Sequence, residues 1–389
     1  SMNRKIYLSR KKCAEIVNES SESMEDNMEE IQMSQNFTSE EVQLDYYNLL
    51  QLLDGQQFEE AELVKILVKL RHAFKTMSDS FPNSILKNLP LIIKFLLQGE
   101  FCDAVKEGAF RLFFCVERWN IPFQALCDFE LMNALFPRFK YQTMRAVSLL
   151  LDEDEFSIII CFLTGLKIDE KLQQCTEERE VRYAIELLSQ LTQTSLMAQA
   201  DLAEYVSFYF QQFQTLSVAN QIKFLGCLQV CAGTSVCDDL PINEFCVSQM
   251  NSAILGDLNV KFVTALLWLI SCPQLNCGQE EFCCKLAQMN VANKQLKFAL
   301  MNCIVGGNLV NELLKGFMEA QLGSTMPQFV NLALEYFKRN QSDAIVEVIK
   351  QKYDNWGFNE QNLAVEIVGY EALKVEGLLL PFGVGFDEV

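Results

Sequence analysis

Residues that most catalysis depends on are scarce in this chain. There is a single histidine, His72, among 389 residues, so sites built from two or three imidazoles are excluded within one copy. Any nucleophile–histidine pair would have to use that one residue. His72 lies in the helical text LVKILVKLRHAFKTM, which reads as an interfacial or exposed position. The patterns G-x-x-x-x-G-K-[ST], G-x-G-x-x-G and G-x-S-x-G are missing. The carboxylate run at 152–155 reads as a solvated turn, because consecutive acids do not converge on one ion without a loop built for it. Fifteen cysteines remain. Cys227 and Cys231 are four apart, Cys272 and Cys277 flank the loop CPQLNC, and Cys283 adjoins Cys284; no C-x-x-C pair recurs at zinc-ribbon spacing. Cys115, Cys161, Cys227, Cys231 and Cys303 sit inside apolar helical text, where a thiol serves as a small buried hydrophobe. These residues predict no enzyme, no metal site and no cofactor.

Charge narrows the partners. The net charge is −19, and it is unevenly spread. The first 12 residues hold Arg4, Lys5, Arg10, Lys11 and Lys12 and no acid. Residues 13–62 hold 14 acids and no base. A basic tip followed by an acidic stretch is a tail pattern, and residues 1–36 are expected to form a disordered tail. Its two readings are a solubilising segment and a short partner-binding motif. Nucleic acid is not an expected partner, because binding it requires clustered Lys and Arg. Nor is a membrane, since no apolar stretch reaches about 18 residues. The basic tip is not followed by an apolar leader, and an odd number of cysteines without one points to reduced thiols in the cytoplasm, the nucleus or both.

The elements that would carry a binding surface show themselves as a repeat. An aliphatic residue followed by a base recurs at the head of apolar helical runs. It appears as Val105-Lys106, Met144-Arg145, Val181-Arg182, Ile222-Lys223, Val260-Lys261 and Leu296-Lys297, at spacings of 39, 37, 41, 38 and 36. A further copy begins at Val330, with Asn331 in place of the base. A period near 40 is the range of armadillo and HEAT repeats. Runs such as VKFVTALLWLIS are apolar on most sides, which suits helices buried between neighbours. Polar or glycine-containing joints separate them at Gly99-Glu100, 152–155, Gly233-Thr234, Gly256-Asp257 and Gly306-Gly307, and no period-two segment stands out. The expected fold is all-α: a right-handed armadillo/HEAT-like α-solenoid of about seven or eight repeats over 37–389. Such an array accommodates a chain too long for one closed core.

Residues 85–118, ILKNLPLIIKFLLQGEFCDAVKEGAFRLFFCVER, resemble an armadillo repeat of the importin-α type. An LP-initiated apolar helix and a polar turn precede a third helix beginning near Glu107. AIELLSQL at 184–191 and Phe298 to Asn302 are similar to the family's third helices, and the resemblance extends over roughly 45–350. It implies an adaptor that holds a nuclear-localisation peptide in a concave groove, clamped by a Trp and an Asn four residues later on successive third helices. Those positions fall here on Phe110 and Phe114, on Glu186 and Gln190, and on Phe298 and Asn302, so only the last pair keeps something close. The resemblance also implies importin-β as a partner of the basic tip Arg4, Lys5, Arg10, Lys11 and Lys12.

Two functions follow as expectations. One is a protein-binding adaptor that holds a protein or peptide partner along the groove, with a role in nuclear transport. The other is a structural or regulatory scaffold that assembles through an apolar end surface, expected near 350–389, where Trp356, Phe358, 378–380 and Phe382 are unusually apolar. Lys106, Arg145, Arg182, Lys223, Lys261 and Lys297 have two readings as well. They form a basic ladder for an acidic segment, or they are helix-start residues whose stems snorkel along apolar neighbours.

Overall fold

Low proline and glycine content leaves long stretches free to propagate helix, with punctuation only at the joints. The computed structural model describes residues 39–54, 60–76, 83–116, 124–151, 156–194, 199–255, 259–289 and 292–369. Among these residues there are α-helices and short 3₁₀ turns and no strands. The chain divides into two compact units, Ser1–Lys223 and Phe224–Val389.

In the first unit the helices are α1 (Ser39–Asp54), α2 (Glu60–Thr76), α3 (Asn83–Gln98), α4 (Asp103–Val116), α5 (Phe129–Leu135), α6 (Lys140–Leu150), α7 (Phe156–Leu166), α8 (Ile168–Gln174), α9 (Glu178–Thr194) and α10 (Gln199–Gln211). Helix α11 (Val218–Cys231) contains the division between units. Neighbours pair as hairpins: α1 with α2, α3 with α4, α5 with α6, α9 with α10. Alternate helices then stack. One row is α2 on α4 on α6 on α9, and the other is α3 on α5 on α7.

The second unit repeats the scheme. Its helices are α12 (Ile242–Leu255), α13 (Val260–Ile270), α14 (Glu280–Gln288), α15 (Lys294–Gly306), α16 (Glu312–Gln321), α17 (Pro327–Arg339), α18 (Asp343–Lys352) and α19 (Phe358–Val368). The hairpins are α12–α13, α14–α15, α16–α17 and α18–α19. One row runs α13, α15, α17, α19 and the other α12, α14, α16. The aliphatic-base signature lies in the first two turns of its helix each time: in α4, α6 and α9 of the first unit's row, in α13 and α15 of the second unit's row, and in α11. The ~40-residue spacing is therefore one helical hairpin. Residues 83–116 form two helices, with the second starting at Asp103, four residues before the expected Glu107.

Local chemistry sets the helix starts. Asn259, Asn293, Asn311 and Ser342 each accept a backbone N–H of the first turn of α13, α15, α16 and α18, and Pro327 opens α17. The cores of the rows explain why their helices read as apolar all round. Val263, Thr264, Leu266, Leu267, Leu269 and Ile270 of α13 are all buried, because the helix is flanked by α12 and α15. A buried lysine closes α7: Lys171 Nζ donates to the Leu166 carbonyl and to Asn133 Oδ1, which supplies a cation at a helix C-terminus. Burial lowers the Lys171 pKa.

Asp128 is the cap with the clearest electrostatic signature. Its Oδ1 accepts the Leu131 N–H at 3.1 Å, and Lys94 Nζ lies 2.9 Å from its Oδ2. Burial pushes the carboxyl up, but the Lys94 and backbone hydrogen bonds outweigh it and hold the group below its usual 3.8. A carboxyl lowered on folding contributes stability above its unfolded value, and loses it as pH falls through the folded value. Asp128→Ala is expected to cost about 1 kcal/mol at pH 7. Urea unfolding from pH 7 to pH 2.5 checks this: the gap between wild type and variant should shrink below about pH 4.

Candidate functional site

The predicted groove residues lie on the signature-bearing row, but their binding capacity is already used. In the first unit Phe110 of α4 is fully buried, in contact with Phe114 (ring centroids 6.1 Å) and Phe139 (5.9 Å). It is a core residue and not a groove contact. Phe114 is half-buried, and the Arg145 guanidinium of α6 lies 4.3 Å from its centroid. The same guanidinium is 5.4 Å from the Tyr183 ring of α9, so it sits between two aromatic faces. Tyr183 stacks on Tyr141 at 6.1 Å, and Arg179 lies over Tyr141 at 5.6 Å. Arg145 thus covers the ring of Phe114, which stands at the family's Asn position, while the residue at its Trp position, Phe110, is sealed in the core.

Glu186 and Gln190 are likewise committed. Lys223 Nζ is 3.1 Å from Glu186 Oε2, and the Ser148 hydroxyl donates to Gln190 Oε1 at 2.7 Å. Arg182 pairs with Glu178 at 3.6 Å within α9. Thus three of the predicted ladder bases, Arg145, Arg182 and Lys223, tie neighbouring turns or helices together. Lys106 is half-buried and Lys297 is half-buried; Lys261 is exposed. In the second unit Asn302 donates to the Phe298 carbonyl one turn back, at 2.8 Å. Phe298 contacts Trp268 at 6.1 Å and Phe329 at 6.2 Å. Trp268, which the family pattern does not align, is therefore part of an aromatic row on α13, α15 and α17.

The N-terminal basic motif Arg4, Lys5, Arg10, Lys11 and Lys12 lies outside the described residues, as do 378–380 and Phe382. Of the predicted C-terminal apolar surface, Phe358 is 77% exposed, while Trp356 is half-buried and donates its indole N–H to the Leu322 carbonyl at 3.3 Å. Residues 152–155 and Gly256-Asp257 are also outside the described residues.

A surface that the sequence reading missed is found at the first helices. A groove of about 620 Å³ is lined by Tyr46, Tyr47, Leu50 and Gln51 of α1 and by Asn88, Leu91, Ile92 and Phe95 of α3. Tyr47 and Leu91 are each 60% exposed, Phe95 is 51% exposed, and Leu44 on α1 is 61% exposed. Its floor is formed by the buried Tyr46 and Ile92. The signal was present in α3. NSILKNLPLIIKFLLQ carries apolar residues on more sides than one packed face requires, and its Leu91 and Phe95 fall on a stripe four residues apart.

The thiols offer no comparable surface. Nine of the 14 described cysteines are buried, and only Cys102 and Cys161 are exposed. Burial, with the nearby Glu180 charge, pushes Cys175 up to about 12, and burial raises Cys115. A hydrogen bond to Cys231, together with burial, lifts Cys227 well above the usual range. No group of three or more ligand side chains among the described residues is placed to hold a metal. Among the described cysteines, iodoacetamide labelling of the native protein at pH 7.5, read by mass spectrometry, is expected to modify Cys102 and Cys161 first. Cys175, Cys227 and Cys303 should react only after unfolding, because the thiolate is the nucleophile.

No helix among the described residues is long and apolar enough to cross a membrane. No protein-family model matches the chain, and no curated protein matches it in sequence.

Proposed function

We propose that the chain is a helical-repeat scaffold of the armadillo/HEAT kind, a right-handed α-solenoid, that binds a partner protein through the apolar groove between α1 and α3. The stacking of alternate helices within each unit supports the repeat architecture, since each hairpin buries its apolar faces on the next. The observation that carries the binding site is the exposure of Tyr47, Leu91 and Phe95 around one groove. Exposed apolar clusters of this kind mark interaction sites. This favours assembly through an apolar end surface over peptide capture along the signature-bearing row, where Arg145, Glu186 and Gln190 already have partners.

Photo-crosslinking in cells tests the reading. Benzoylphenylalanine at position 91 is expected to give a discrete protein adduct that Phe95→Asp removes, while the same probe at the exposed Val310 gives none. No adduct at position 91, or equal adducts at both positions, would sink it.

Peptide binding in the second unit is the second reading, carried by the half-buried Trp268–Phe298 pair. It predicts that a lysine-rich peptide quenches fluorescence in the wild type and not in Phe298→Ala.

A further inference from the structure

We propose that Cys246 and Cys277 form a redox pair: a peroxide oxidises Cys277, and Cys246 resolves the product into a reversible disulfide that fastens α12 to the joint between α13 and α14. This goes beyond the α1–α3 groove and does not depend on it.

Nine of the 15 cysteines fall within residues 227–303, all in the second unit. No group of three or more ligands among the described residues is placed to hold a metal, so the chemistry open to these thiols is that of pairs. Cys246 lies on α12 and has no exposure; Cys277 lies in the joint just before α14 and is 5% exposed. The two sites meet because α12 packs on α14. One turn before Cys246, the Asn243 side chain accepts the Asn276 N–H at 3.1 Å, which pins the joint to α12 beside both sulfurs. The Cys246 thiol hydrogen-bonds to the Cys277 sulfur.

The surroundings give the two thiols different roles. The hydrogen bond from Cys246 outweighs burial and holds the Cys277 thiol below its usual 9.0, and the Cys277 backbone N–H acts in the same direction. The same hydrogen bond, together with burial, raises Cys246. Cys277 is therefore the thiolate nucleophile and Cys246 the proton-bearing partner. Access favours the same assignment. Gly278, the next residue, is exposed, and a side chain placed there would meet no atom within 4 Å, so a molecule the size of hydrogen peroxide can approach. Proximity alone is not enough: Cys283 and Cys303 have their sulfurs 3.7 Å apart, but neither has any exposure.

The step balances with peroxide as the oxidant. The Cys277 thiolate attacks one peroxide oxygen, an S–O bond forms, the O–O bond breaks, and the departing oxygen leaves as water after taking up a proton. The Cys246 sulfur then attacks the Cys277 sulfenic acid. The S–S bond forms, the S–O bond breaks, and the Cys246 proton leaves with the hydroxyl as a second water. Two thiols lose two electrons and one peroxide gains them. A dithiol reductant reverses the bond. The bond closes a loop over 247–276, which holds the rest of α12 and all of α13.

Mass spectrometry of the full reduced chain after hydrogen peroxide tests the proposal, with dimedone present to trap sulfenic acids. The wild type should yield a Cys246–Cys277 linked peptide that dithiothreitol removes. In Cys246→Ser the hydroxyl still donates to Cys277 but cannot resolve it, so the dimedone adduct on Cys277 should rise at least about fivefold over wild type. Circular dichroism checks the fold of that variant, and the wild-type linkage needs no variant at all. A wild type without the linked peptide overturns the proposal, as does a Cys283–Cys303 link formed in its place. Dimedone on Cys102 or Cys161 with Cys277 unlabelled in Cys246→Ser overturns it too.

Discussion

Phe110→Ala is expected to destabilise the N-terminal unit by about 3–5 kcal/mol, the cost of emptying a fully buried aromatic site. The ring has no solvent exposure and contacts Phe114 and Phe139, so its removal leaves a cavity that α4 and α6 cannot close without moving. Phe114→Ala should cost less, about 1–2 kcal/mol, because that ring is only half-buried. Urea denaturation followed by circular dichroism separates the two. A Phe110→Ala variant with a wild-type midpoint would mean that the residue faces a groove after all.

The next largest effect is expected at Arg145. Its guanidinium lies between Phe114 and Tyr183, so Arg145→Ala removes two cation–π contacts and a long packed stem, about 1–3 kcal/mol in all. Arg145→Lys should recover only part of the loss, because a planar guanidinium stacks on a ring where a compact ammonium does not. A double-mutant cycle of Arg145→Ala with Phe114→Ala should return a coupling of at least about 0.5 kcal/mol. Strict additivity would place the guanidinium off the ring. The same variant bears on function. With the arginine gone, Phe114 and Tyr183 present an open aromatic slot, so a lysine-rich peptide should bind Arg145→Ala more tightly than wild type if the internal cation is what blocks capture there.

The helical class and the spacing of the hairpins were legible in the residues alone. Both rest on local physics. Helix starts are set by Asn259, Asn293 and Asn311 within three residues of where they act, and the aliphatic-base signature falls near a helix start each time it recurs. The absence of imidazole pairs and of phosphate loops is also a statement about composition, which folding does not alter.

The fate of individual side chains was not legible, because it depends on residues far away in the chain. Phe110 and Phe114 are four apart on one helix, yet one is sealed in the core and the other is covered by an arginine 31 positions later in the sequence. Glu186 and Gln190 read as open polar groups until Lys223 and Ser148 are brought to them from α11 and α6. The α1–α3 groove makes the same point in the opposite direction. The 3.6-residue period of α3 marks Leu89, Ile92, Ile93 and Leu96 as buried and Leu91 and Phe95 as a second apolar stripe. Periodicity reports that such a stripe exists. Whether a neighbouring helix covers it depends on the packing of α1 against α2 and of α3 against α4 and α5, which leaves Leu91 and Phe95 in solvent.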